Sequence, residues 1–221
     1  MHQGATQIWA TIGPSTLNRR SLEQLEIEGV SLFRINLSHT TLEELPEVLD
    51  VLQSTRVPVC IDSEGAQLRT GPMPQAKSAR VGDRVTISRD SCDPSGTAVT
   101  LNHPAVLERI GIGELLFVDD GPILQVLASP SNDALRGRVL IGGLIKANRP
   151  VKIVCALELP PLSNKDKVAI RLARQRGVRH FALSFAQSAG DVQVMREEIG
   201  EDSVLISKIE SNDGLENLVP I

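Results

Sequence analysis

Five short apolar runs punctuate the chain: IWATIG (8–13), VSLFRINLS (30–38), VPVCIDS (57–63), HFALSF (180–185) and VLISKIE (204–210). Nearly continuous apolar runs of this length read as buried strands of a parallel sheet. Helical patterns follow most of them. SLEQLEIEG places Ser21 and Gln24 at capping-box spacing and stops at Gly29, and TTLEELPEVLDVLQ sets Leu42, Leu45, Val48, Leu49 and Leu52 at helical intervals. LSNKDKVAIRLARQRG opens on Ser163 with Asp166 three residues on and ends at Gly177, and SAGDVQVMREEIG closes at Gly200. Strand and helix alternate, which predicts an α/β fold with a parallel sheet or barrel.

The strand tails keep a rhythm. Gly13, Ser38 and Ser63 are 25 positions apart, as are Phe185 and Glu210. That period suits a compact (β/α)8 TIM barrel, whose ~200-residue minimum allots about 25 residues to each unit. Ser63 and Phe185, however, are 122 positions apart, and between them the pattern changes to short alternating segments: VGDRVTIS, TAVTLN, ELLFV, ILQVLA, RGRVLIGG and PVKIV. Turn clusters CDPSG, DDGP, SPSND and ANRP separate them. The prediction is therefore a partial TIM barrel, residues 1–71 and 158–221, with an all-β domain, residues 72–157, inserted after the third strand.

Composition narrows the function. With 41% hydrophobic and 23% charged residues and a net charge of −4, the chain has no basic field to attract nucleic acid or a membrane surface. It has no tyrosine, one tryptophan and four phenylalanines, which leaves little for stacking bases. Cys60, Cys92 and Cys155 form no C-x-x-C pair, which fits a reducing cytoplasm rather than a disulfide framework or zinc site. Neither a signal peptide nor an ~18-residue apolar span is read in the sequence. A cytoplasmic protein with no nucleic-acid or membrane partner is the expectation.

In barrels of this kind, active-site groups gather where the strands end. All five tails here are polar: TIGPS, RINLSH, DSEG, SFAQ and KIES. Arg34, Asn36 and Ser38 alternate with Ile35 and Leu37, so a guanidinium, an amide and a hydroxyl leave by one face. The next strand ends in Asp62 and Ser63, and the fifth in Lys208 and Glu210 on a common face. One such residue alone reads as a surface ion pair, and Lys208 with Glu210 as a structural salt bridge. Recurrence on five tails points to an anionic substrate with bound metal ions. His2, His103 and His180 show no metal spacing, GIGEL is a fragment of a glycine-rich pattern, and the Asp119-Asp120-Gly121 triplet reads as a turn between strands that a closing lid would carry to a site.

The segments TIGPST, FRINLSH, DSEGAQLRTG, LFVDDGPILQV, LPPLSNKDK, ALSFAQSAGDVQVMRE and LISKIESNDGLENL resemble, in order and spacing, the pyruvate kinase family. The resemblance implies a glycolytic transferase that moves a phosphoryl group from phosphoenolpyruvate to ADP with Mg2+ or Mn2+ and often K+. It implies that Arg34 and Arg69 bind phosphate, that Lys208 stabilises the phosphoryl group in flight and the enolate left behind, and that Glu210 ligates the divalent ion. It places Asn36, Ser38, Asp62 and Ser63 at a monovalent-ion site, and Thr11, Pro14 and His39 near the nucleotide. Asp120 falls in the lid, Arg149 on the nucleotide side, and Ser184 among the substrate-site residues.

Departures accompany the likeness. Glu64 stands where the family has lysine, Gln67 where it has the glutamate linked to potassium dependence, Arg149 where it has a lysine, and Gln187 where it has an arginine. Potassium dependence and the identity of the acceptor are thus open. A metal-dependent lyase of pyruvate or enolpyruvate, and a non-catalytic chain acting by binding or assembly, are the alternatives. The family's next strand, which supplies the second carboxylate to the divalent ion, is not in the 221 residues. The expectation is a longer protein, or a short form that completes its barrel with another copy of the chain.

Overall fold

A computed structural model describes residues 6–89, 98–131, 133–153 and 159–221. The turn CDPSG, His2, Cys92, Cys155, Val154 and the 157/158 boundary lie outside the described residues. The elements run β1 (Ile8–Thr11), α1 (Arg19–Ile27), β2 (Val30–Asn36), α2 (Leu45–Leu52), β3 (Val59–Asp62), β4 (Lys77–Ala79), β5 (Arg84–Ser88), β6 (Val99–Thr100), β7 (Leu115–Val118), β8 (Ile123–Ser131), β9 (Ala134–Ile141), β10 (Gly143–Ile145), β11 (Val151–Ile153), α3 (Asn164–Gln175), β12 (His180–Leu183), α4 (Ala189–Ile199), β13 (Val204–Ser207) and α5 (Asn212–Glu216).

Two compact units result, residues 1–66 with 160–221, and residues 67–159. The division falls at 66/67 rather than 71/72. Arg69 and Thr70 make single antiparallel bridges to Pro150 and Leu101, and Leu68 is buried in the second unit's core. Residues 67–71 thus belong by pairing to the second unit.

In the first unit, five parallel strands lie in the order β1-β2-β3-β12-β13. Period-2 alternation separates its two faces. Phe33, Ile35, Val59, Ile61, Phe181 and Leu183 pack with Leu22, Leu49, Ile170 and Met195 of the helices into the main core. Leu32, Cys60 and Ala182, with Ile206 beside them, form a small layer of their own. Two residues further along each strand on that face come Arg34, Asp62, Ser184 and Lys208. The outer strands are less buried than a buried-strand reading predicts: Ile8, Trp9 and Val204 are exposed because β1 and β13 are the sheet's edges.

Helix starts follow local chemistry. Ser163 and Ser188 each cap their helix in a reciprocal box with Asp166 and Asp191. At α1 the cap is Asn18, whose side chain accepts from Ser21 N–H, so Ser21 lies inside the helix rather than capping it. Gly29 and Gly177 take the left-handed conformation that ends a helix, at φ of 90° and 82°.

Asp166 does more than cap. Fully buried, its carboxylate accepts from Glu64 N–H (2.8 Å), Gly65 N–H (3.3 Å) and Ser163 N–H (2.9 Å), tying the loop after β3 to the start of α3. Burial raises its pKa, an effect the hydrogen bonds only partly offset. Asp166→Asn should lower stability by about 1–2 kcal/mol, since an amide cannot accept at both ends. A carboxyl whose folded pKa is raised stabilises most when protonated and loses that contribution as pH rises through the folded value. The gap between wild type and Asp166→Asn in urea unfolding should accordingly be wider at pH 4 than at pH 7.

The second unit holds a six-stranded sheet, β11-β7-β8-β9-β5-β6, and a β10-β4 pair, antiparallel except for β5-β6. Leu116, Val118, Leu124, Val126, Leu135 and Val139 alternate inward to form its core. DDGP makes the tight β7-β8 turn, with Asp119 at φ 53° and Gly121 N–H on Val118 O at 2.9 Å.

Candidate active site

At the C-terminal ends of β2, β3, β12 and β13 the polar layer closes on one carboxylate. Asp62, with no exposed surface, accepts from Arg34 Nε at 2.6 Å and is ion-paired with the same guanidinium through Nη2. Lys208 Nζ lies 3.2 and 3.1 Å from its two oxygens, and Ser184 Oγ lies 3.0 Å from Oδ1. Removing one partner from a buried pair is costly, so each cation fixes the others. Arg34 Nη1 also donates to Thr11 Oγ1 at 2.8 Å, which links β1 to the cluster.

Lys208 and Glu210 lie just past β13, which ends at Ser207, rather than within it. They are 3.4 Å apart, and Glu210 Oε2 accepts from Phe185 N–H at 3.1 Å. Phe185 has φ 55°, a left-handed conformation unusual for a bulky residue and a form of strain found at functional sites. Formal charges of Arg34, Lys208, Asp62 and Glu210 cancel.

Apart from Ser38, which is buried just past β2, the predicted residues sort into three groups. Arg34, Asp62, Ser63, Ser184, Lys208 and Glu210 are brought together, with Ser63 Oγ accepting from Ser184 N–H at 3.0 Å. Thr11, Pro14, Asn36 and His39 line a neighbouring cavity of about 500 Å3, walled also by Ile12, Leu17, Ile35 and Val48. Arg69, Asp120 and Arg149 belong to the second unit. There Arg69 Nη1 donates to Asn148 O at 3.0 Å, and Arg149 is 3.6 Å from Asp119.

The pairing of Glu64 with Lys165 is not visible in the spacing of the strand tails. Glu64 is 3.0 Å from Lys165 Nζ, which also donates to Leu37 O. Burial pushes the Cys60 thiol up to about 12, so it stays protonated beneath the cluster.

The donor chemistry fits the two implied ions differently. Among the described residues no three His, Cys, Asp or Glu side chains group to hold a metal. Glu210 alone, one-third exposed, suits a hard divalent ion that takes one carboxylate and fills its sphere with substrate oxygens and water. The monovalent set is engaged by protein protons. Asn36 Oδ1 accepts from Ser38 N–H at 2.9 Å, Ser63 O accepts from Ser184 Oγ at 2.7 Å, and Asp62 is taken by two cations. In this arrangement the carboxylate of that set is already neutralised by two protein cations.

A buried carboxylate held between arginine and lysine thus lies beside a second, partly exposed carboxylate at the strand ends. The family model described as pyruvate kinase, barrel domain, matches residues 3–221. Pyruvate kinases of Thermoplasma acidophilum and Aeropyrum pernix are 31% and 32% identical to the chain over 98% of it, and it spans 39% and 48% of their lengths. The crystal structure of Cryptosporidium parvum pyruvate kinase superposes with a TM-score of 0.87 at 28% identity, over 98% of this chain and 49% of that one. The chain belongs to the pyruvate kinase family. It spans less than half of each of these relatives. No helix among the described residues is long and apolar enough to cross a membrane.

Proposed function

We propose that this chain carries the phosphoryl-donor side of a pyruvate kinase active site, on a partial (β/α)8 barrel interrupted after its third strand by an all-β lid. The observation that carries the reading is the Arg34-Asp62-Lys208-Ser184 cluster at the strand ends. Phosphoryl transfer asks a protein chiefly for positioning and charge neutralisation. Arg34, held by Asp62 and Thr11, binds the phosphate of phosphoenolpyruvate. Lys208 neutralises the oxygens of the phosphoryl group in transfer and the enolate oxygen it leaves. The P–O bond to the enolate breaks as the β-phosphate oxygen of ADP bonds to phosphorus, and the enolate then takes a proton to give pyruvate.

Thr11, Pro14 and His39, around the cavity beside the cluster, would seat the nucleotide. Arg69, Asp120 and Arg149 are the inserted domain's own candidates for phosphate contacts. Glu210 would hold Mg2+ or Mn2+, which when bound adds positive charge to a cluster whose own formal charges cancel. No role is derived for K+. A cytoplasmic enzyme that acts on small anions rather than nucleic acid or membranes follows from this reading. A coupled assay of pyruvate release by the full-length gene product, with phosphoenolpyruvate, ADP and Mg2+, tests it. Turnover without added K+ is expected; no pyruvate under saturating Mg2+, Mn2+ and K+ would overturn the proposal.

A further inference from the structure

We infer that Ser184 is a positioning residue that aims the Lys208 ammonium. The geometry is a matter of counting protons. A hydroxyl has one proton and two lone pairs. Ser184 Oγ has two acceptors within reach, Ser63 O at 2.7 Å and Asp62 Oδ1 at 3.0 Å, and one donor, Lys208 Nζ at 2.9 Å. Its single proton goes to an acceptor, and a lone pair is left for the ammonium.

Lys208 has three protons. One meets Ser184, one is shared by the Asp62 oxygens at 3.1 and 3.2 Å, and the third faces Glu210 at 3.4 Å. The third contact is the longest and the one an incoming phosphoryl oxygen can take over. With two protons anchored, the direction of the third is set. Without the hydroxyl, the ammonium keeps only its carboxylate contacts and can turn on its flexible four-carbon stem.

Ser184 itself is buried and held in place. It is 4% exposed, its N–H donates to Ser63 Oγ at 3.0 Å, and Gly65 packs directly on it. Such support for a group that touches the acting side chain is what precise positioning requires.

The test uses Ser184→Ala and the isosteric Ser184→Cys, whose thiol is a weak hydrogen-bond partner, in the full-length protein. Two readouts apply. In 15N NMR of lysine side chains, the wild type should show a slowly exchanging Lys208 ammonium cross-peak that both variants lose. In kinetics, kcat should fall about tenfold or more with KM for phosphoenolpyruvate and ADP within twofold, the pattern of an interaction used in the transition state. The kinetic arm rests on the proposed function; the NMR arm does not. A wild type without activity but with the protected cross-peak would sink the function and leave the inference standing. Variants that keep the cross-peak, or that match wild-type kcat, would overturn the inference.

Discussion

Lys208→Ala should reduce turnover by about 10^3-fold or more while leaving the fold in place. Its ammonium touches Asp62, Ser184 and Glu210, and the side chain remains about one-quarter exposed. Removing one fixed donor aimed at developing charge costs on the order of 10^2 to 10^3 in kcat, and a full positive charge on a transferring phosphoryl group is worth more. The KM for phosphoenolpyruvate should change far less, since in the proposed function the phosphate is bound by Arg34. Lys208→Arg should not restore activity, because a planar fork cannot place one proton on each of Ser184, Asp62 and an incoming oxygen. Steady-state kinetics of the two variants, with circular dichroism to confirm folding, check this.

Gly65→Ala should be the most damaging of the glycine-to-alanine changes among the first unit's described residues, lowering stability by about 3 kcal/mol. Gly65 has φ 71°, where an L side chain costs about 1–2 kcal/mol, and an added Cβ would meet Ser184 O at 2.3 Å and Ser184 Cβ at 2.8 Å. Those atoms are backbone and a buried side chain, so relief requires the strand end itself to move, at a further cost of about 1–3 kcal/mol. Because the atoms displaced belong to Ser184, activity should fall even where the variant still folds. Gly29→Ala is a useful contrast: Gly29 shares the left-handed backbone, at φ 90°, but nothing lies within 4 Å of its added Cβ. It should show the backbone cost alone. Urea midpoints of the two variants separate strain from collision.

What could be read from the residues follows the range of the interactions involved. Capping boxes at Ser163 and Ser188 are legible because both partners sit within three residues, and the same short range misleads at Ser21, where Asn18 takes the cap. The polar strand tails are legible because a period of two sends Arg34 and Asn36 to one face, away from Phe33 and Ile35. The exposure of Trp9 is not, since an apolar run does not say whether a strand has neighbours on both sides. Nor is the second use of Asp166, whose bonds to the Glu64 and Gly65 amides join positions about 100 residues apart. The pairing of Glu64 with Lys165 escapes for the same reason. Asp62 illustrates both limits. Its place at a strand end is plain in DSEG, but that it would be wholly buried and shared by two cations depends on three strands meeting.

In the proposed function the strand-end cluster supports transfer of a phosphoryl group. This is tested most directly by following phosphorus-31 signals of phosphoenolpyruvate and ADP mixed with the full-length gene product and Mg2+. Phosphoenolpyruvate should be lost in step with the appearance of the ATP γ-phosphate, one for one, and Lys208→Ala should stop both. Release of phosphoenolpyruvate phosphorus as inorganic phosphate, or no change in either signal with folded, Mg2+-saturated protein, would contradict it.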